Sequence, residues 1–553
     1  MLELIDPAVD DAWLDAWRAR VDEARGFLRW PKAATVVRRH ARGAALALAA
    51  PLDQLFSATE VNEWALLAAL PSARQALPAF HAPGHAAPWD RDSAEQTLRR
   101  YAAAERRPPL VALEAAAQTH GVRLLIDDEE LSLGGGAGCR SWPLAALPTP
   151  DAVDWNALHD IPVALVTGSN GKTTTVRLLA AMLQAQGRRC AYSCTDGLFA
   201  NGERLRGGDY SGPAGARAVL RHPHAEAAVL ETARGGILRR GLALRRADVA
   251  VVTNISVDHF GEYGIHDLDG LADAKLVVAR TLHSVAAPLV LNADDSVLRR
   301  RAPRDGVALA WFALDDAHAE LRAHRAQGGA TCGIADGVLR LHWRGATVEL
   351  GAVEQMPLSF AGRARYNLAN IAAASLAAAA MGVPFEVIKE VLTRFGRNHA
   401  DNPGRLQHWD HDGIRVFVDY AHNADGLRGL LEVANAQRAD PGRLGLLLGQ
   451  AGNREDAEIR ELAAVAAEFL PDRIVLKELS GMLRGRVLGE VPALLREALL
   501  QHAVPAAALQ TCFDEEAAAR SLLTWARAGD VVVLPLHGPA ARDTIVALLD
   551  RGA

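Results

Sequence analysis

Cysteine is scarce in this chain: Cys139, Cys190, Cys194, Cys332 and Cys512 are scattered over 553 positions. Their odd number and unpaired spacing exclude a disulfide framework and a thiolate zinc site, and point to a reducing cytoplasm. Cys190 and Cys194, four apart near an expected strand, read as core residues rather than ligands. A surplus of one charge is also lacking, because 60 basic residues against 66 acidic ones leave a formal net charge of −6. No overall field then selects nucleic acid or a membrane surface as partner. Ala-rich stretches such as Ile371 to Met381 are too short to span a bilayer. The acidic opening, MLELIDPAVDDAW, lacks the apolar core of a signal peptide.

What is present is length and ordinary globular composition. A chain of 553 residues exceeds the size at which one core stops growing, so several domains are expected. The rest is organised around IPVALVTGSNGKTTTVRLL, Ile161 to Leu179. An apolar run, a Gly-bounded turn and then apolar residues at helical spacing predict strand, loop and helix. Backbone N–H groups of Gly168, Ser169, Asn170, Gly171 and Lys172 at a helix N-terminus suit a chain of phosphate oxygens. Lys172 is placed to reach the terminal phosphates, Thr173 to hold Mg²⁺, and Thr174 to complete the cradle. The general P-loop pattern has Gly where this chain has Val166, so the loop is of a shortened form.

Residues 1–158 are expected to form a mixed α+β domain. Helices are predicted over Trp13 to Leu28, Ala34 to Ala49, Val61 to Leu70 and Ser93 to Ala104, with a Pro/His/Gly-rich loop near His81 to Trp89. Two short strands lie within Val122 to Leu133, and Gly134 to Gly138 reads as a turn. The Pro-rich stretch Pro148 to Pro162 marks a boundary. Residues 159–402 alternate strands and helices (Ala227 to Leu230, Val249 to Asn254, Leu289 to Asn292), the pattern of a parallel-sheet P-loop domain, with a small antiparallel insert over Gly328 to Val353. Residues 403–553 repeat the alternation at Arg415 to Val418, Leu444 to Leu448, Arg473 to Leu476 and Val531 to Leu534, as a Rossmann-like α/β domain. The fold class is therefore α/β in three domains.

Candidate chemistry gathers at strand ends, where ligand clefts of parallel sheets open. Glu231 closes the run AAVL and opens ETARGGILRRGL. It is a candidate Mg²⁺ ligand facing Lys172, while Arg234, Arg239 and Arg240 are either anion-holding groups or solvated helix charges. Asn254, Asp258 and His259 end the next strand with groups suited to metal and phosphoryl oxygens. Lys275 lies on a following helix and reaches the site as a cation or in carbamylated form, or else faces solvent. Asn367 in RYNLAN offers an amide to a base edge. Arg405 in NPGR is positioned to swing onto phosphates as domains close. Asp419 and His422 in VDYAHN are candidates for ribose and phosphate.

The ordered motifs GSNGKTTT, ETARGG, TNISVDHFG, YNLAN, NPGR and VDYAHN resemble those of the Mur ligase superfamily. ETARGGILRRGL, NPGRLQ, AGNREDAEIRELA and KELSGMLRGRVLGE are most similar to its cyanophycin-synthetase-like branch. The resemblance runs over roughly residues 160 to 540. It implies an ATP- and Mg²⁺-dependent carboxylate–amine ligase that works through an acyl phosphate on amino-acid or peptide substrates. It assigns Mg²⁺ contacts to Thr173, Glu231 and His259, adenine to Asn367, phosphates to Arg405 and further nucleotide contacts to Asp419 and His422. Lys275 aligns with a lysine that is carbamylated in several members. That branch carries an ATP-grasp domain before its Mur-like part, for which 158 residues leave no room, so one ligation rather than two is expected. Arg484, Arg486 and Glu490 are candidates for the amine or carboxylate substrate, or else a solvated cluster. Muramoyl-peptide and folylpolyglutamate ligation, a nucleotide-binding partner without turnover, and a homo-oligomer remain open alternatives.

Overall fold

The computed structural model describes residues 2–4, 9–40, 43–69, 91–258, 260–284 and 286–551. The expected loop near His81 to Trp89, and His259, lie outside the described residues. The chain divides into two compact units, Met1–Asp160 with Gly261–His266 and Ile161–Phe260 with Asp267–Ala553.

In the first unit Asp10 starts the helix Asp11–Leu28 by accepting the Trp13 amide at 2.8 Å, as short acidic caps do for otherwise unpaired helix N–H groups. Its apolar stripe, including Trp13, Trp17 and Val21, packs with the helix Leu55–Ala69. The buried Trp17 indole finds its partner in Asn62, with Nε1 donating to Oδ1 at 2.9 Å. The helix expected over Ala34 to Ala49 is instead an antiparallel hairpin, Thr35–His40 against Gly43–Leu48, with Leu2–Leu4 on its far side. Thr35, Val36 and Val37 favour extended chain. Gly43, at φ 150°, adopts a backbone few other residues tolerate. The small residues Ala44 and Ala45 pack into the core beside Leu46, so the alanine content here marks close packing of a sheet. A helix over Pro108–His120, with proline in its first turn and Gly121 (φ 67°) closing it, stands where no periodicity marks one. Leu124–Ile126, Glu130–Leu133 and Arg140–Pro143 form a second small antiparallel sheet. The glycine stretch between them is a tight turn, since a Cβ on Gly134 would lie 2.2 Å from the Gly138 carbonyl oxygen.

In the second unit, seven parallel strands make the middle of an eleven-stranded sheet among the described residues. Val163–Thr167 runs between Ala227–Glu231 and Val249–Val252, so three strand ends open side by side. The strands are apolar along their whole length because helices cover both faces. The segment over Gly328 to Val353 extends this sheet instead of standing apart. Ala330–Ala335 pairs in parallel with Leu309–Phe312, and Val338–Trp343 and Ala346–Ala352 follow antiparallel. The helix Arg365–Ala380 is buried on nearly all sides and lies against both the sheet and the helix Lys172–Ala185.

A six-stranded sheet follows, with Gln407–His411 antiparallel at one edge and five parallel strands beside it. Phe417, fully enclosed in its core, is a direct test of this packing. Phe417→Ala is expected to cost about 3–5 kcal/mol through lost burial and the cavity left behind, read as a lower urea midpoint by far-UV circular dichroism. Among the described residues no helix is long and apolar enough to cross a membrane.

Candidate functional site

The turn after Val163–Thr167 is shaped by glycine at two points where nothing larger fits. A Cβ on Gly168 (φ 144°) would meet Thr253 Oγ1 at 1.8 Å, and one on Gly171 (φ 82°) would meet Asn370 Oδ1 at 2.1 Å. The neighbouring segment Thr253 to Ser256 braces the loop. The Asn254 amide clasps Asn170, accepting from its N–H at 2.8 Å and donating to its carbonyl at 3.2 Å. Ser169 Oγ donates to the Ser256 carbonyl at 3.1 Å and accepts the Ser256 amide at 3.0 Å. Gly171 then begins the helix Lys172–Ala185, whose first N–H groups face the strand ends.

Around this loop the side chains are charged and close. Lys172 Nζ donates to the Gly168 and Ser169 carbonyls at 3.0 and 2.9 Å. Lys275 is buried, and its Nζ donates to the same Gly168 carbonyl at 2.8 Å, so it faces the loop and not solvent. Glu231, 1 % exposed, accepts the Thr173 hydroxyl at 2.8 Å and the Thr195 hydroxyl at 2.8 Å. Arg234 is buried nearby, while Arg239 and Arg240 are exposed, the former donating to the Gly235 carbonyl. Thr174 Oγ1 accepts from Asn402 at 3.2 Å, where the chain turns towards the second sheet.

That second sheet reaches back to the loop. Arg405 Nη2 lies 3.4 Å from Thr173 Oγ1, and its guanidinium stacks 4.6 Å from the Tyr420 ring centre. Asp419 accepts the Leu406 amide at 2.6 Å and the Ala421 amide at 2.7 Å; burial raises its carboxyl above the usual range despite Arg405. Asn423 Nδ2 donates to Asn170 Oδ1 at 3.0 Å. Asp258 accepts from Arg454 at 2.8 Å, with His422 Nε2 3.9 Å from the same oxygen. Asn367 donates through Nδ2 to the Leu358 carbonyl at 2.9 Å and accepts at Oδ1 from Asn370 at 3.2 Å, and Leu358, Phe360, Asn402, Arg405 and His408 line a hollow. Among the substrate candidates, Arg486 pairs with Asp456 at 2.7 Å and Glu490 at 2.5 Å, which fixes a loop, and Arg484 is exposed.

Residues 166–378 match the family model described as Mur ligase middle domain, and residues 404–535 match that described as Mur ligase, glutamate ligase domain. The chain belongs to the Mur ligase family. It is similar to the cyanophycin synthetase of Trichormus variabilis, 36% identical over 376 residues, which are 68% of this chain and 41% of that protein. The cyanophycin synthetase of Synechocystis is 35% identical over 376 residues, again 68% of this chain and 42% of the relative. This Mur ligase family member thus spans about two fifths of the length of those relatives. UDP-N-acetylmuramoyl-L-alanyl-D-glutamate–2,6-diaminopimelate ligase of Pseudomonas aeruginosa is 32% identical over 57% of this chain and 61% of its own length. In fold the chain is similar to E. coli FolC in complex with DHPP and ADP, with a TM-score of 0.53 at 20% identity, covering 70% of this chain and 89% of that one.

Three residues at the candidate site, Thr195, Asp196 and Arg542, carry no linear signal of their own, and Asn423, in the VDYAHN motif, is not singled out by it. Thr195 and Asp196 sit in a hairpin turn, Arg542 on a helix near the C-terminus, and Asn423 one residue beyond His422. Their partners lie up to 346 positions away, as for Arg542 and Asp196.

Lys275 makes a pH test possible. Burial first, and the Lys172 ammonium next, pull it down to about 7 from an ordinary value of 10.5. Between those values the unfolded chain holds the proton and the folded one does not, so stability rises with pH by up to about 1.4 kcal/mol per unit from this residue. Below pH 7 the cost of the buried ammonium is complete. Lys275→Met is expected to remove that slope between pH 7 and 10, measured by urea unfolding at stepped pH.

Proposed function

We propose that this chain is an ATP-dependent, ADP-forming ligase that joins a carboxylate to an amine on an amino acid or peptide through an acyl phosphate. The observation that carries the reading is the Thr173 hydroxyl, held by buried Glu231 at 2.8 Å and approached by Arg405 at 3.4 Å, at the start of the phosphate-loop helix. Backbone N–H groups from Gly168 to Lys172 would bind the phosphates of ATP, with Lys172 at the terminal one. A hydroxyl and a carboxylate are hard oxygen donors that suit Mg²⁺, so Thr173 and Glu231 would hold it, together with His259 by likeness to the family. When bound, the ion would neutralise charge on the phosphoryl oxygens.

The residues of this chain would then act by position and charge. Lys172 and Arg405 orient the phosphates for attack by the substrate carboxylate on the terminal one, releasing ADP. The amine next attacks the activated carbonyl carbon, phosphate leaves, and the amine gives up its proton. The braced loop keeps the donors fixed while the charge moves. In this reading Asn367 lies by the adenine, Asp419 and His422 serve the nucleotide from the second sheet, and Asn254 holds the loop in shape. Residues 159–402 would be the ATP-binding domain, 403–553 the C-terminal ligase domain, and 1–158 a substrate-binding domain.

Likeness to the cyanophycin synthetases supports aspartyl peptides as acceptors ahead of UDP-linked muramoyl peptides or folates. The test is incubation with ATP, MgCl₂ and a pool of amino acids and dipeptides, with ADP measured and products weighed by mass spectrometry. The reading expects ADP in step with a new species lighter by one water than its two parts. No ADP release across aspartyl peptides, muramoyl peptides and folates would refute it, and would favour a nucleotide-binding partner without turnover.

A further inference from the structure

We infer that Asp196 is the positioning residue that holds the Arg405 segment and the C-terminal helix Pro539–Leu549 against the phosphate loop, by gathering three arginines that arrive from separate parts of the chain. The inference deepens the proposed reading of that loop as the nucleotide site. Asp196 occupies the turn between the strands Cys190–Cys194 and Gly197–Ala200, next to Thr195, which binds Glu231. Its Oδ1 accepts from Arg542 at 2.8 Å and its Oδ2 from Arg177 at 2.8 Å, with Arg405 Nη2 at 3.5 Å.

Each arginine ties a different element. Arg177 belongs to the phosphate-loop helix, and its other nitrogen donates to Asn402 Oδ1 at 3.3 Å and the Pro403 carbonyl at 2.9 Å, gripping the connection between the two sheets. Arg405 follows that connection and reaches Thr173. Arg542 comes from the helix near the C-terminus. All four side chains are largely buried, at 3%, 14%, 9% and 9% exposure for Arg177, Arg405, Arg542 and Asp196. Burial alone would raise the Asp196 carboxyl, but Arg405, Arg177 and Arg542 outweigh it and hold it well below the usual carboxylate range. The three guanidinium groups thus favour its charged form.

Its geometry is that of an orienting group. One carboxylate faces three guanidinium groups, and Asp543, 3.8 Å from Arg542, is largely solvated. Arg405 carries its charge from this cluster towards Thr173 of the loop, where Asp419 and Glu231 also act on it. The opposite side of the junction is joined separately, by Asp258 with Arg454 and Asn170 with Asn423. Loss of Asp196 would therefore loosen one side of the junction and leave the other in place.

The test uses the full chain and compares Asp196→Asn, Asp196→Glu and Arg542→Met with the wild type. Because Asp196→Asn leaves three guanidinium groups facing one another, Arg542→Met, which takes one away, covers the case in which the first variant does not fold. Three quantities are read: the radius of gyration by small-angle scattering without nucleotide, the Kd for Mg·ADP by calorimetry, and kcat and KM for ATP. Expected are a larger radius for Asp196→Asn and Arg542→Met, and a KM for ATP and a Kd for Mg·ADP raised about tenfold, the usual scale for loss of an orienting partner. Asp196→Glu should recover most of the affinity, which a merely structural defect would not. Unchanged radius and affinity within twofold in both disruptive variants would overturn the inference. If the wild type itself released no ADP, the functional reading would fall, while scattering would still decide the role of Asp196.

Discussion

Lys172→Ala is expected to lower ADP release by about a thousandfold while leaving the fold in place, the upper range for loss of one preorganised charge from a phosphoryl-transfer site. The Lys172 ammonium is held 3.0 and 2.9 Å from the Gly168 and Ser169 carbonyls, at the positive end of a helix, so its charge is delivered at the point where phosphate would lie. Its contacts are two loop carbonyls and it packs into no core, so the melting temperature should move by no more than about 2 °C. Lys275 shares the Gly168 carbonyl but is not a substitute, because it is pulled down to about 7 where it stands. Lys172→Arg should also fail to restore turnover, since a planar fork does not occupy the place of a compact ammonium. Activity within tenfold of wild type in Lys172→Ala would remove this loop from the chemistry.

The second large effect is at Glu231. Glu231→Gln keeps the volume and can still accept a hydroxyl, but removes the buried charge that faces Thr173 and Thr195. Turnover is expected to fall about 10²- to 10³-fold. The MgCl₂ concentration for half-maximal rate should rise at least about tenfold, as a carboxylate is lost from a hard-cation site. Thr195→Val, which removes a hydrogen bond but no charge, should show a smaller loss of about tenfold. A Glu231→Gln enzyme with an unshifted MgCl₂ curve would show that this carboxylate has no part in holding the ion.

The reach of these expectations follows from how parallel sheets are built. A motif at the end of a buried strand is brought to the same edge as every other such motif, so Lys172, Glu231 and Asn254 converge although they lie far apart in the chain. Their spacing in the sequence marks where strands end, and the two α/β regions are legible from alternation, but the strand order, with Val163–Thr167 between Ala227–Glu231 and Val249–Val252, is not. Thr195, Asp196 and Arg542 are different. A turn residue and a helix arginine have no periodic signature, and their partners are set by how two sheets meet. In the first unit the small residues Ala44 and Ala45 belong to a three-stranded sheet, where alanine allows close approach of a covering helix; composition there does not separate strand from helix. Asn254 reads as a group aimed at phosphate, and its amide is found clasping Asn170, because a loop rich in glycine needs outside bracing to keep one shape.

The helix Arg365–Ala380 carries a consequence for any survey of sequence variants. From Ala372 to Ala379 every residue is buried, six of the eight being alanine beside Ser375 and Leu376, and the helix packs against the sheet and the phosphate-loop helix. Larger side chains would push Lys172–Ala185 outward and disturb the loop without touching a ligand. A saturation screen scored on growth would record this alanine tract as being as intolerant as the glycines of the loop, and would place the functional centre of the protein about one helix too deep.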